Sequence, residues 1–327
     1  MDFIRTRGAS WGAGLCALVL LSGVAQADMW LLNFGGISPT VARRFRESDA
    51  GFVGLLDYGP EVATGMRLGP NGRIYVAVNE LNQGRIARFD AATGQPLGDL
   101  VPFGQAGYEQ PGNFVFGANG DLYAPSSAFT ANGQSGVLRF DGTSGAFESV
   151  FIAPGAGGLT SFADIETMPT STDLLICDTN RVNRYDGTTG AFVSTFITPG
   201  AAGTGALGNL TFGPDGNLYL SDFTHHEIRR FDGNTGAFID VFVEQADLLS
   251  TVRGMSFGND GNLYVSQRGA NVNMVRRYDG GTGEVIDTFL TADWVYTDPT
   301  EIVFTPEPTM LIAPLTIFII AAHRRRR

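Results

Sequence analysis

The chain has no lysine. All 22 of its basic residues are arginine, and 33 acidic residues leave a formal net charge of −11 over 327 residues. That balance argues against a nucleic-acid partner, which a basic surface would have to hold. Cysteine is almost as scarce. Two cysteines exclude a disulfide scaffold and a cysteine-rich structural zinc site. There are three histidines, and no Gly-x-Ser-x-Gly nucleophile elbow occurs. No 3.6-residue apolar period is sustained, which excludes a helical solenoid. What the chain does have is 43% hydrophobic residues against 17% charged, too apolar for disorder. With 44 Gly and 15 Pro, it is also dense in turns.

Both ends read as addresses. Arg5 and Arg7 precede an apolar stretch from Gly12 to Val24, and Ala25-Gln26-Ala27 offers small residues at a cleavage position. This predicts a secretory leader over residues 1–27, delivered to the Sec translocase and cut between Ala27 and Asp28. Cys16 falls inside it, so the mature chain keeps only Cys177 and can form no internal disulfide. At the other end, Pro306-Glu307-Pro308 is followed by a 14-residue apolar run, Thr309 to Ala322, then by His323 and Arg324, Arg325, Arg326 and Arg327. At 1.5 Å per residue the run is about 21 Å, short of the roughly 30 Å hydrocarbon core of a bilayer. The terminal arginines would stay cytoplasmic and hold the preceding domain outside. Motif, apolar run and basic end, in that order, resemble the PEP-CTERM sorting signal. The resemblance implies recognition by an exosortase at the inner membrane of a Gram-negative bacterium. It also implies transient membrane association, cleavage near Pro306-Glu307-Pro308, and transfer to the cell envelope, outer surface or extracellular matrix. The alternative is a retained C-terminal transmembrane anchor. Between the ends, residues 28–305 carry 16 Arg and 31 acidic residues, net −15, as expected of an acidic, soluble, exported domain.

The middle repeats. Arg-aromatic-Asp recurs at 88–90, 139–141, 184–186, 230–232 and 277–279, with Asp spacings of 51, 45, 46 and 47. Four residues after each Asp comes a glycine (Gly94, Gly145, Gly190, Gly236, Gly283), always preceded by Thr or Ser. Upstream lies a second signature, as in Asn71-Gly72-Arg73-Ile74-Tyr75 and Asp215-Gly216-Asn217-Leu218-Tyr219, degenerate in the third repeat as Asp173-Leu174-Leu175. Asn-Gly and Asp-Gly between apolar alternations predict tight hairpins with positive φ at both central residues. Asp-x-x-Thr-Gly predicts a longer hairpin loop with a left-handed glycine. Each unit of about 45 residues then makes four short antiparallel strands, a propeller blade.

Five full units run from about Thr64 to Asp298. Before them, Trp30 to Asn33, Val41 to Arg46 and Phe52 to Leu56 supply three strands lacking an inner one. After them, Thr300 to Phe304 matches an inner strand. The expectation is an all-β, six-bladed β-propeller over residues 28–305, its ring closed by the C-terminal strand joining the N-terminal blade. The repeats resemble NHL repeats, and the domain looks like the six-bladed propellers that include streptogramin-lyase and gluconolactonase relatives. The matching motifs specify blades and not chemistry.

Function is expected where the repeats differ. Aligned on the second strand, Asn33, Val78, Ser126, Asp178, Asp222 and Gln267 share one position, and Asn113, Asp164, Asn209, Arg253 and Glu301 begin the inner strands. Asn33, Asp178, Asp222, Gln267, Arg253 and Arg268 are the candidate binding residues. Asp164, Asp178, Asp222 and Glu301 could line a channel and offer oxygen ligands to a divalent cation such as calcium, although no cofactor is required. The gluconolactonase resemblance implies a channel metal held by Glu, Asn and Asp, but its ligands do not map residue by residue. His225, beside Asp222, is the candidate general base. Without a second histidine from another blade, the residues favour a non-enzymatic binding or scaffold module for a protein or glycan. A metal-dependent lyase or lactonase is the alternative.

Overall fold

The computed structural model describes residues 27–33, 41–126, 135–244, 251–269, 272–291 and 299–306. Residues 1–26 of the expected leader and 307–327 of the expected sorting tail, including Glu307, Pro308 and Arg324 to Arg327, lie outside the described residues. Among the described residues no helix is long and apolar enough to cross a membrane.

The strands form six sheets of four. The first blade is made of β1 (Asp28–Asn33), β2 (Val41–Arg46), β3 (Phe52–Asp57) and, on the inner side of β1, β24 (Pro299–Thr305). The second holds β4 (Val62–Leu68), β5 (Ile74–Glu80), β6 (Gln83–Phe89) and β7 (Pro96–Val101). The third holds β8 (Val115–Phe116), β9 (Leu122–Ser126), β10 (Gly136–Phe140) and β11 (Phe147–Ile152). The fourth holds β12 (Asp164–Thr167), β13 (Leu174–Asp178), β14 (Arg181–Tyr185) and β15 (Phe192–Ile197). The fifth holds β16 (Leu207–Phe212), β17 (Leu218–Asp222), β18 (Glu227–Phe231) and β19 (Phe238–Val243). The sixth holds β20 (Thr251–Phe257), β21 (Leu263–Gly269), β22 (Val272–Tyr278) and β23 (Val285–Leu290). The chain is thus a six-bladed β-propeller. Closure by β24 is as expected: Asp28 pairs with Thr305 and Leu31 with Ile302.

One local reading needs correction. In the Asn-Gly hairpins only the glycine has positive φ, +72° at Gly72 and +77° at Gly216. The preceding Asn or Asp stays right-handed because its side chain is engaged: Asn71 Oδ1 accepts from the Arg73 amide at 3.2 Å and Asp215 Oδ1 from the Asn217 amide at 3.1 Å. Gly72 donates back to Gly69 O at 2.9 Å, so the turn is a right-handed one followed by a left-handed glycine. The fourth strands do not alternate simply. Opposite β18, β19 shifts register between Ile228 and Arg229, so Phe242 and Val243 are both buried.

The second loop behaves as expected. Asp186 Oδ1 accepts from the Thr188 amide at 3.0 Å, the Thr189 amide at 2.7 Å and the Thr189 hydroxyl at 2.8 Å. Those bonds hold its carboxyl below the usual range. Gly190 follows at φ +73°, and a Cβ there would lie 1.9 Å from Phe151 O in the preceding blade. No other residue fits that close approach. Core aromatics join blades as well. Tyr75 meets Phe116 at 4.8 Å, Tyr219 meets Phe257 at 4.9 Å, and Tyr264 meets Phe304 of the closing strand at 4.8 Å.

Candidate functional site

The inner strands line the axis, and the polar residues on them differ from blade to blade. Arg67 on β4 reaches across. One guanidinium nitrogen lies 2.8 Å from Glu301 on β24, another 3.4 Å from Asp164 on β12. Asn113 donates to Asp164 Oδ1 at 2.8 Å, and the Leu210 amide donates to Oδ2 at 3.1 Å. Five blades therefore converge on one ionic cluster. Inner strands crowd beside it: a Cβ at Gly65 would stand 2.8 Å from Asn113 Oδ1, and one at Gly254 2.1 Å from Thr300 O.

Burial pushes the carboxyls of Asp164 and Glu166 up, against the pull of Arg67. Burial likewise raises Glu301, to about 7, although Arg67 opposes the shift. Flanked by these acids, the Arg67 guanidinium stays protonated at all accessible pH.

Two cavities flank the cluster. Toward the end where second strands finish and inner strands begin, a cavity of about 220 Å³ is lined by Thr64, Asn113, Asn209, Phe223, Arg253 and Thr300, with Glu301 at its base. Toward the hairpin-turn end, one of about 320 Å³ is lined by Glu166, Thr211, Ser256, Phe257 and Asn259, with Arg67, Asp164 and Glu301 behind them. The first offers amides, hydroxyls, a guanidinium and one aromatic ring. The second is more acidic.

The expected site residues separate. Asp164, Glu301 and Arg253 belong to the channel. Asp178 and Asp222 end their second strands, where each carboxylate is consumed locally. Asp164 pairs with Cys177, so Asp178, the next residue, projects from the opposite face. It accepts from Ser161 Oγ at 2.7 Å and the Thr179 amide at 2.8 Å, and pairs with Arg181 at 3.2 Å. Burial alone would raise its carboxyl, but these bonds outweigh burial and lower it. Asp222 accepts from the Gly205 and Thr224 amides, both at 3.0 Å, meets His225 Nδ1 at 2.9 Å and lies 3.3 Å from Arg229. Its carboxyl is also lowered, hydrogen bonds again outweighing burial. The four proposed cation ligands are thus not gathered into one shell. Among the described residues the one group of three carboxylates close enough to share an ion is Asp121, Asp141 and Glu148, and Arg139 already spans Asp121 and Glu148.

Gln267 is fully buried and donates to the Tyr278 hydroxyl at 2.9 Å, so it serves the core. Arg268 is exposed near the end of β21 and lines neither cavity. Asn33 is buried with both side-chain polar atoms unsatisfied, while its carbonyl accepts from the Tyr58 hydroxyl at 2.8 Å. His225 lies between β17 and β18 with its side chain 41% exposed. At the expected leader junction, Ala27 is buried and its carbonyl accepts from the Glu47 amide at 3.1 Å, while Asp28 holds Arg44. Sequence reasoning missed Arg67 and Glu166. The signal was there for both: Arg67 and Glu166 occupy the same place inside their inner strands, where the other blades carry Val115, Thr211, Ser256 and Val303.

No sequence-family profile matches the chain, and no curated protein does. Solved structures match it in fold. A protein of unknown function from Bacteroides caccae superposes with TM-score 0.63 at 12% identity, over 86% of this chain and 100% of that one. A chain of a nidogen/laminin complex gives TM-score 0.62 at 16% identity, over 86% and 99%. TolB from Acinetobacter baumannii gives 0.58 at 12%, over 86% and 67%.

Proposed function

We propose that the chain is an exported binding and scaffold propeller, sorted through its C-terminal signal to the cell envelope or extracellular matrix. Its ligand is a glycan seated in the 220 Å³ cavity. The observation that supports this most is the lining of that cavity. Asn113, Asn209, Thr64 and Thr300 offer amide and hydroxyl partners, Arg253 a fork of donors and Phe223 an apolar ring face, above a floor closed by the Arg67 cluster. That mixture suits a neutral or weakly anionic saccharide of one or two rings.

Titration calorimetry with matrix polysaccharide fragments tests the reading. Saturable binding that falls at least tenfold in Asn209→Ala and in Arg253→Ala is expected. Binding unchanged in both variants, or absent across a broad glycan array, sinks the glycan assignment. The sorting half has its own test, the mass of the protein recovered from cells. Loss of the residues after Pro308 is expected. Retention of Arg324 to Arg327 would make it a membrane-tethered protein instead. A second reading, a lyase or lactonase, draws on the 2.9 Å contact between His225 Nδ1 and Asp222, which orients the ring as a base. It requires that Asp222→Ala and His225→Ala each abolish turnover in a lactone and lyase screen while the fold persists.

A further inference from the structure

The outer strand of every blade is an open sheet edge, and such edges invite pairing with another chain unless charge or proline guards them. Four of the six are guarded. β7 opens with Pro96 and carries Asp99, which pairs with Arg85 at 2.8 Å. β11 carries Glu148, β19 Asp240 and β23 Asp287, each held by an arginine of the third strand at 2.5 to 2.6 Å. In β3 and β15 that guard is missing. The equivalent arginines there turn the other way, Arg44 to Asp28 and Arg184 to Asp173. β3 reads Phe-Val-Gly-Leu-Leu before its final Asp57, and β15 reads Phe-Val-Ser-Thr-Phe-Ile with no ionisable residue. Both expose large apolar side chains: Val53 is 43% and Val193 49% accessible.

The placement of the two is as informative as their composition. β3 belongs to the first blade and β15 to the fourth, on opposite sides of a ring of six. The geometry points to β3 and β15 as edges through which copies of this chain pair with one another into linear strings of propellers. The occupant is a second copy because of charge. Copies with net −11 repel wherever acidic edges meet, and like charges across a strand pair are destabilising. That penalty is least at β15, which carries no charge, and at β3, whose single acid, Asp57, stands at its end. A six-residue strand contact buries less than the roughly 1,200 Å² of a standard interface, so each contact is weak and the strings grow with concentration. The inference does not depend on what the channel binds.

Sedimentation of the full chain in mild detergent tests it, from about 1 to about 100 µM, the range for a weak interface. The weight-average mass of the wild type is expected to rise with concentration above 34.9 kDa, through the dimer to longer species. Val53→Glu or Val193→Glu alone should allow nothing larger than a dimer, and the double variant should stay monomeric. Ile239→Glu, on the edge already guarded by Asp240, should associate like the wild type. A wild type that remains monomeric throughout overturns the proposal. So does association that persists in the double variant, which keeps both apolar ends of the chain, or that Ile239→Glu weakens equally.

Discussion

Replacing Arg67 by methionine keeps the volume of the side chain and removes the one cation that faces Asp164, Glu166 and Glu301 from β4. The charge-assisted bond to Glu301 at 2.8 Å and the longer contact to Asp164 at 3.4 Å are both lost. Three carboxyls, two of them nearly inaccessible, are left to repel one another. Removing one partner of a buried ionic cluster costs about 3–5 kcal/mol, because the remaining charge is stranded. The stranded groups here can escape by taking up protons, and burial already favours that in all three. The cost therefore depends on pH: the full 3–5 kcal/mol at pH 8, falling to about 1–2 at pH 5. Urea unfolding of wild type and variant at the two pH values measures it. Adding Glu301→Gln to Arg67→Met should recover part of the loss at pH 8, since it removes one of the three carboxyls left without a cation. A penalty equal at both pH values, or below about 1 kcal/mol at pH 8, would refute the electrostatic account of the channel.

Other outcomes follow from the same geometry. Glu301→Gln alone should stabilise the protein at pH 8 by on the order of 2–3 kcal/mol and leave it nearly unchanged at pH 4. The sign follows from a folded-state pKa of about 7 against the ordinary 4.5: that stability is present below 4.5 and lost as pH rises through 7. The loop aspartates act in the opposite sense. Asp90, Asp141, Asp186, Asp232 and Asp279 are all lowered, so their contribution disappears only as pH falls below about 4, seen as an acid limb in melting temperature. Gly190→Ala should cost about 2–4 kcal/mol, and Gly216→Ala about 1–2, because both have positive φ but only Gly190 abuts another blade. Equal costs would remove the role given to that inter-blade contact. Cys177, fully buried and with its thiol raised by burial, should react with a disulfide reagent only in denaturant.

The architecture was legible because it repeats. The Asp of each Arg-aromatic-Asp, the Thr-Gly or Ser-Gly loop it holds and the Tyr after most turns do the same work in blade after blade, so each occurrence corroborates the others. Even the incomplete first blade could be assigned, since Thr300 to Phe304 matched the missing inner strand. The channel was legible only in part. Asp164 and Glu301 were visible as inner-strand acids, but Arg67 contacts residues 97 and 234 positions away, and no local pattern encodes which strands face one another across an axis. Asp178 and Asp222 show the converse error. They occupy the aligned position, yet their loops supply amides and hydroxyls that absorb both carboxylates locally. Alignment by repeat fixes the height of a side chain on its blade, while the length and composition of the adjacent loop decide whether it is left over for anything else.

The closing strand links architecture and channel. β24 supplies the inner strand beside β1, places Phe304 against Tyr264 of the sixth blade, and carries Glu301 to Arg67. Glu301 reaches the axis only when β24 is paired, so the ionic cluster is complete only in the closed ring. Conversely, Arg67 on the second blade and Asp164 on the fourth give the arriving strand a polar target that the interchangeable apolar faces of the blades do not. The cluster thereby favours one register of closure: sliding β24 by one residue would turn Glu301 away from Arg67 and bring Thr300 or Ile302 to its place. Arg67→Met should therefore weaken closure of the ring as well as the channel, and amide exchange in β1 and β24 should rise before exchange in the fourth blade does.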